Sequence, residues 1–208
     1  QEKRATIIFN RWLMLIRGLV GSQGVTFTPT EETVINEVLQ DLTGWSAGAS
    51  RLKPVTIPQV WAALHSPRKE LVNNNRYENP QAFHNGTRPL RDALGALCKG
   101  SLQGMFDTES TFQPDWRAPI QTLSLRSLHA TGNKVAVGIA LMCLNSWGQG
   151  IREAASAGDR RIVLRDEAWL QTRLSLEAVE ALDANLRLSR TEGDIQIVTY
   201  HKPSDPLS

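Results

Sequence analysis

The spacing of apolar positions changes part-way along this chain. Between Ala5 and Val20, the residues Ile7, Ile8, Trp12, Leu15, Ile16 and Leu19 recur at helical spacing, which predicts an amphipathic core helix. Asn10, Arg11 and Arg17 interrupt its apolar character and no small-residue cleavage pattern follows, so the segment does not read as a signal peptide. Thr28-Pro29-Thr30-Glu31 has the form of a capping box with proline at the first helical position, opening an amphipathic run through Leu42. Gly44 to Ser50 reads as a small-residue loop. Thr56 can cap a short helix carrying Val60, Trp61 and Leu64 that stops at Pro67. Asn73-Asn74-Asn75 reads as a surface loop, and Asn85-Gly86-Thr87, a match to a glycosylation acceptor, reads as a turn. A further helix is expected from about Pro89 to Lys99, with Gly100 as its stop.

From Pro119 onward the pattern becomes an alternation of short apolar runs and longer helical ones. Ile120 to Leu125 predicts a strand, Asn133 to about Ala157 a long helix, and Arg161 to Arg165 a second strand. Leu176 to about Glu192 predicts a helix ended by Gly193, and Ile195 to Tyr200 a third strand. Strands separated by helices pair in parallel through right-handed crossovers. The expected class is therefore α/β, with a mainly helical subdomain over residues 1–118 and a parallel sheet within residues 119–208.

Composition adds few exclusions. The 208 residues are 41% hydrophobic and carry 23 Lys and Arg against 21 Asp and Glu, a net charge of +2. That balance argues neither for nor against nucleic acid as a partner. Cys98 and Cys143 stand far apart inside apolar stretches and form no Cys-x-x-Cys pair, so both read as reduced, buried thiols. Val135 to Leu144 is the longest uncharged apolar run and is about half a bilayer span. His65, His84, His129 and His201 have no ligand partner at metal-binding spacing. No serine sits on a nucleophile elbow, and the six tryptophans read as core and interface residues.

The candidate chemistry lies in Ile162-Val163-Leu164-Arg165-Asp166-Glu167-Ala168-Trp169, which we read as a buried strand ending in two carboxylates. Ligands of open parallel sheets bind beyond the carboxyl ends of the strands. Adjacent side chains on extended backbone point opposite ways, so the two acids divide the work. One suits the water shell of Mg²⁺, the other the water that attacks a phosphate. The bland alternative is a solvated acidic turn after a strand. Arg165 departs from the apolar run, which suggests a partly open sheet edge or a short strand. At the tip of the next strand, His201 is a phosphate-sensing candidate or a plain surface histidine. Leu182, Leu186 and Ser189 mark one face of the intervening helix. Arg187 and Arg190 near its end either complement the helix dipole or form an arginine finger toward a neighbouring subunit.

Taken in order, these segments resemble the C-terminal ATPase domain of conjugation and type IV secretion motors, the TraC-like members of the HerA/FtsK group of P-loop NTPases. Leu164 to Trp169 resembles the Walker B Asp-Glu-Ala-Trp segment. Gly104-Met105-Phe106-Asp107 resembles the Gly-x-Phe-Asp that follows the helical insertion, and Ile120 to Leu125 the strand after it. Leu188-Ser189-Arg190 and Val198 to Asp205 resemble the helix end and the sensor strand with its Ser-Asp. Thr28 to Glu31 and Pro54 to Thr56 fall where the insertion has similar segments. The resemblance covers nearly the whole chain. It implies a partial RecA-like core in which Asp166 acts at Mg²⁺, Glu167 is the base for water, Arg187 and Arg190 are finger candidates, and His201 takes a sensor position usually held by Gln. It further implies ATP and Mg²⁺ as cofactors and a homo-oligomeric ring. The partners it implies are secretion-system components at the membrane and DNA, and the place is cytoplasmic or peripheral to the inner face of the membrane. The group's sensor strand lies between the Walker B strand and the P-loop strand, so the strand at Ile195 is expected to need a partner outside this chain.

One element of that family has no counterpart. No Gly-x-x-x-x-Gly-Lys-Ser/Thr occurs. Gly18 to Gly24 has no lysine and follows a helix, and in Gly95 to Gly100 the lysine precedes the glycine. Without that loop the β- and γ-phosphates have no cradle, so this chain alone is expected to bind nucleotide weakly or not at all. Two readings stay open: a fragment of an ATP-hydrolysing motor, and a non-catalytic interaction or scaffold module of the same fold. A helical nucleic-acid binder is a third, with affinity for DNA that falls steeply with salt.

Overall fold

The computed structural model describes residues 2–46, 49, 51–100, 102–111, 118–154, 160–166, 179–180, 182–183, 186–187, 189 and 193–199. The chain divides into two compact units, Gln1–Gln113 and Pro114–Ser208.

The first unit is helical. Its elements are α1 (Glu2–Gly21), α2 (Pro29–Thr43), α3 (Ile57–His65), α4 (Lys69–Asn74), α5 (Pro80–Gly86) and α6 (Arg88–Lys99). The capping box predicted at Thr28 is present. Glu31 Oε2 accepts from the Thr28 N–H at 2.9 Å and from its hydroxyl at 2.8 Å, while the Glu31 N–H donates to Thr28 Oγ1 at 3.2 Å. Gly44 ends α2 in the left-handed region, φ 70°, which a residue without Cβ enters without strain. Gln59 Oε1 accepts from the Thr56 N–H at 2.8 Å at the start of α3. Two short helices depart from the expected loops. Asn73 and Asn74 belong to the last turn of α4. The Asn79 side chain caps α5, accepting from the Ala82 N–H at 2.8 Å, so Asn85 and Gly86 end a helix. Asparagine tracts punctuate helix ends as readily as loops, because their side chains replace missing backbone partners.

The core of this unit is aliphatic. Leu19, Val20, Ile35, Leu39, Leu64, Leu90, Leu94, Leu97 and Phe83 are fully buried. On α1 the buried stripe runs through Ala5, Phe9, Ile16, Leu19 and Val20, whereas Ile7 is 48% exposed. The stripe is therefore rotated from the expected one, and Phe9 seals it by stacking on Trp45 at 4.9 Å. Between α3 and α6, Trp61 Nε1 donates to the Arg91 carbonyl at 3.0 Å. Gly95 permits this approach, since a Cβ there would lie 3.3 Å from the indole nitrogen.

The second unit holds α7 (Arg126–Ala130), α8 (Lys134–Ala154), β1 (Arg161–Arg165) and β2 (Asp194–Val198). Its class is α/β, mostly helical, with one two-stranded parallel sheet among the described residues. Asn133 Oδ1 caps α8 by accepting from the Ala136 N–H at 3.0 Å. Ala136, Val137, Ile139 and Met142 form its buried side. No helix among the described residues is long and apolar enough to cross a membrane. The strand expected at Ile120 to Leu125 is absent: the segment lies without regular structure, and Ile120 is 85% exposed. Extended backbone needs a ladder partner to become a strand, and the sheet does not reach this segment.

Candidate functional site

The two strands pair in parallel register, Arg161 opposite Asp194, Ile162 opposite Ile195, Leu164 opposite Ile197 and Arg165 opposite Val198. Both strands therefore end at one edge. Asp166 leaves the end of β1, and Thr199 leaves the end of β2 directly beside it. The Thr199 N–H donates to the Arg165 carbonyl at 2.9 Å, extending the ladder one step beyond the strands. The Thr199 hydroxyl donates to Asp166 Oδ1. The Arg165 carbonyl also stands 3.4 Å from that hydroxyl, but a single proton goes preferentially to the charged carboxylate.

Behind this edge lies a polar interior. Arg165, expected either at an open edge or at the end of a short strand, is only 7% exposed. Its Nε donates to Asn145 Oδ1 of α8 at 2.7 Å, and its Nη1 donates to Gln196 Oε1 of β2. At the other end of the sheet, Arg161 Nε stands 4.0 Å from the buried carboxylate of Asp194. The face that carries these polar groups is the covered one. The opposite face carries Ile162, Leu164, Ile195 and Ile197, which are 67%, 65%, 55% and 43% exposed. This corrects the expectation of a buried strand. Alternation along β1 buries Arg165, half-buries Arg161 and Val163 and turns the aliphatic residues to water, because Asn145 and Gln196 give Arg165 partners on the covered side.

The other predicted residues distribute as follows. Asp166 is exposed at the carboxyl edge, where a strand-end acid was expected. Arg187 lies in helical backbone, exposed, with Nε 2.8 Å from Asp183 Oδ2 one turn earlier. Of the predicted helix face, Leu182 and Ser189 are buried and Leu186 is half-buried. Glu167, Arg190 and His201 lie outside the described residues.

Compared with protein-family models, with curated proteins and with solved structures, the chain matches none.

The geometry thus stands on the residues themselves. Among the described residues no cluster of three or more His, Cys, Asp or Glu side chains could hold a metal. Asp166 and Thr199 offer one carboxylate and one hydroxyl, a hard oxygen pair. That set lacks the nitrogen and sulfur ligands of a Zn²⁺ site, and a Mg²⁺ ion here would take most of its ligands from water and phosphate. Thr199 lies two residues before His201, the polar tip that the sequence suggests. The signal was present: aligning Arg161–Arg165 with Asp194–Val198 in parallel places residue 166 beside residue 199.

The cysteines are not part of this edge. Burial pushes the Cys143 thiol up to about 12. Burial also raises Cys98, helped by the charge of Asp107 and opposed by Lys99. Both thiols are thus neutral at physiological pH and poor nucleophiles. In the first unit, a groove of about 400 Å³ between α3 and α6 is lined by Trp61, His65, Arg91 and Lys99, with the Lys99 ammonium 4.6 Å from the Trp61 ring centre. It contains none of the predicted site residues.

Proposed function

We propose that this chain is part of an ATP-hydrolysing motor of the type that drives conjugative DNA transfer or type IV secretion, and that residues 119–208 contribute its Walker B and sensor strands. The supporting observation is the shared carboxyl edge. A parallel strand delivers Asp166 to the rim, and the adjacent strand meets it there with a hydroxyl. Pairing the strand at Ile195 directly with the Walker B strand agrees with the order expected for such a core. In this reading Asp166, held by Thr199, helps carry Mg²⁺, and the ion would neutralise charge on the transferring phosphoryl group. Glu167, next along the backbone, is the base that takes the proton of the attacking water. Arg190 and Arg187 are the finger candidates. Arg187 must leave Asp183 to act, a small cost for an exposed ion pair. The sequence has no phosphate loop, so the cradle for the β- and γ-phosphates comes from polypeptide other than these 208 residues. The working form is a homo-oligomeric ring attached to secretion components at the membrane.

A second reading rests on the aliphatic face. Four exposed branched side chains on one small sheet favour a non-catalytic interaction module of the same fold. Titrating Mg·ATP into this chain, and into a version extended at the N-terminus to include a phosphate loop, separates the two. Binding in the extended version alone supports the motor, and its absence from both supports the module. In the extended protein, Glu167→Gln is expected to keep ATP bound and lose hydrolysis by at least ~100-fold. Turnover near the normal rate would remove Glu167 as the base.

A further inference from the structure

Asn85-Gly86 carries chemistry that the motor reading leaves unused. A glycine after asparagine leaves the intervening backbone nitrogen unhindered, so that nitrogen can attack the asparagine side-chain carbonyl. The structure supplies a packing reason for the glycine. A Cβ on Gly86 would lie 2.7 Å from Cε1 of Tyr77 and 2.9 Å from its hydroxyl oxygen, so the tyrosine ring takes the space a side chain would need. Tyr77 in turn meets the fully buried Phe83 edge to face at 5.2 Å.

The fold also holds the reacting atoms apart. Both residues lie in the last turn of α5, and Asn85 is exposed. Helical backbone aims the Gly86 N–H at the carbonyl of Ala82 and tilts the Asn85 side chain toward the start of the helix, away from that nitrogen. Accordingly Asn85 Oδ1 accepts from Gln81 Nε2 at 3.1 Å, one turn back. Buried Phe83 and the Asn79 cap, 2.8 Å from the Ala82 N–H, favour the closed helix.

We propose that Asn85 is a deamidation site whose rate is set by the opening of α5. In the opened segment the Gly86 nitrogen gives up its proton and attacks Asn85 Cγ. A bond from that nitrogen to Cγ closes a succinimide ring, and the bond from Cγ to Nδ2 breaks as the amide leaves with a proton as ammonia. Water then opens the ring at either carbonyl, leaving aspartate or isoaspartate at position 85. The iso form adds a carbon to the main chain, inside the turn that the Thr87 N–H and hydroxyl close on the Phe83 carbonyl at 2.9 and 2.8 Å. Both products put a carboxylate at the C-terminal end of α5, where the helix dipole disfavours it. Each opening that reacts therefore weakens the next closing.

Incubating the full chain in mildly alkaline buffer, with mass spectrometry of its peptides to follow conversion at position 85, tests this. The folded chain is expected to react at least ~10-fold more slowly than the same chain fully unfolded in urea. Asn79→Ala, which removes the cap, is expected to speed the folded chain about fivefold, and Asn79→Ser, which keeps an acceptor, to stay near the wild-type rate. Should the alanine variant fold poorly, wild-type chain in urea below its unfolding transition makes the same comparison, with the rate rising as the α5 amides lose exchange protection. A folded rate within twofold of the unfolded one overturns the control by α5. So does an unchanged rate in the folded alanine variant, or in urea that has opened α5. No conversion at Asn85 in the unfolded chain overturns the site itself.

Discussion

Replacing Arg165 with methionine removes the buried charge that ties β1 to both α8 and β2, and its cost can be worked from the contacts. The hydrogen bonds from the guanidinium to Asn145 and Gln196 are lost, and bonds to charged groups contribute about 1.5–3 kcal/mol each. Gln196 is part-exposed and recovers water, so its share is discounted; Asn145 is 8% exposed, so water replaces its bond to Arg165 less readily. The methionine returns about 1–2 kcal/mol through apolar burial. The net expectation is a loss of roughly 2–3 kcal/mol for Arg165→Met, and about 4 kcal/mol for Arg165→Ala, which returns nothing. Because the chain has two units, a single global unfolding curve would mix them, so the measurement is native-state hydrogen exchange of the amides in Asp194–Val198. Their protection is expected to fall by about 30- to 150-fold in the methionine variant, the equivalent of that loss at 1.4 kcal/mol per tenfold. In the double variant Arg165→Met/Asn145→Leu, the loss should be smaller than the sum of the two single losses, since donor and acceptor of one bond are removed together. Protection in Arg165→Met within twofold of wild type would show that the buried arginine is not what holds the strands. The account of why the polar face is the covered one would then fail.

Other expectations follow from the same structure. Thr28→Ala should lower the stability of the first unit by about 1 kcal/mol, read from native-state hydrogen exchange of the α2 amides, because the capping box to Glu31 is lost; no change would mean solvent replaces it. Cys143 gives a pH dependence whose sign is fixed by its raised pKa. The unfolded thiol ionises from about 9 and the folded one only near 12, so the folded state binds more protons in between. Stability should then be complete below pH 9 and fall by up to about 1.4 kcal/mol per pH unit above it. Cys143→Ala should flatten that slope, and an unaltered slope would assign it to other groups. On the aliphatic face, Ile162→Thr with Ile195→Thr should cost under ~0.5 kcal/mol of strand protection, because both side chains already face water. A loss above 2 kcal/mol would reveal a cover over that face.

How much of this was legible in the sequence differs from element to element. Local chemistry was written plainly. The Thr28 capping box, the loop from Gly44, the helix from about Pro89 to Lys99 and the strands beginning at Arg161 and near Ile195 follow from short-range spacing, and spacing is a property of neighbours in the chain. Parallel pairing followed as well, since a helical segment between two strands leaves the second running the same way. The edge holding Asp166 was legible for the same reason. What failed were inferences that depend on a partner distant in sequence. Ile120 to Leu125 has the composition of a strand but no ladder to join. Arg165 read as a blemish in an apolar run, and its meaning came from Asn145 and Gln196, 20 and 31 residues away. Thr199 was invisible as a ligand of Asp166 until the register set them side by side, 33 residues apart. Which face of the small sheet meets water was decided in the same way. A period of two says that the faces differ, but only the tertiary structure supplies the partners that let arginine go inside and leave isoleucine and leucine outside.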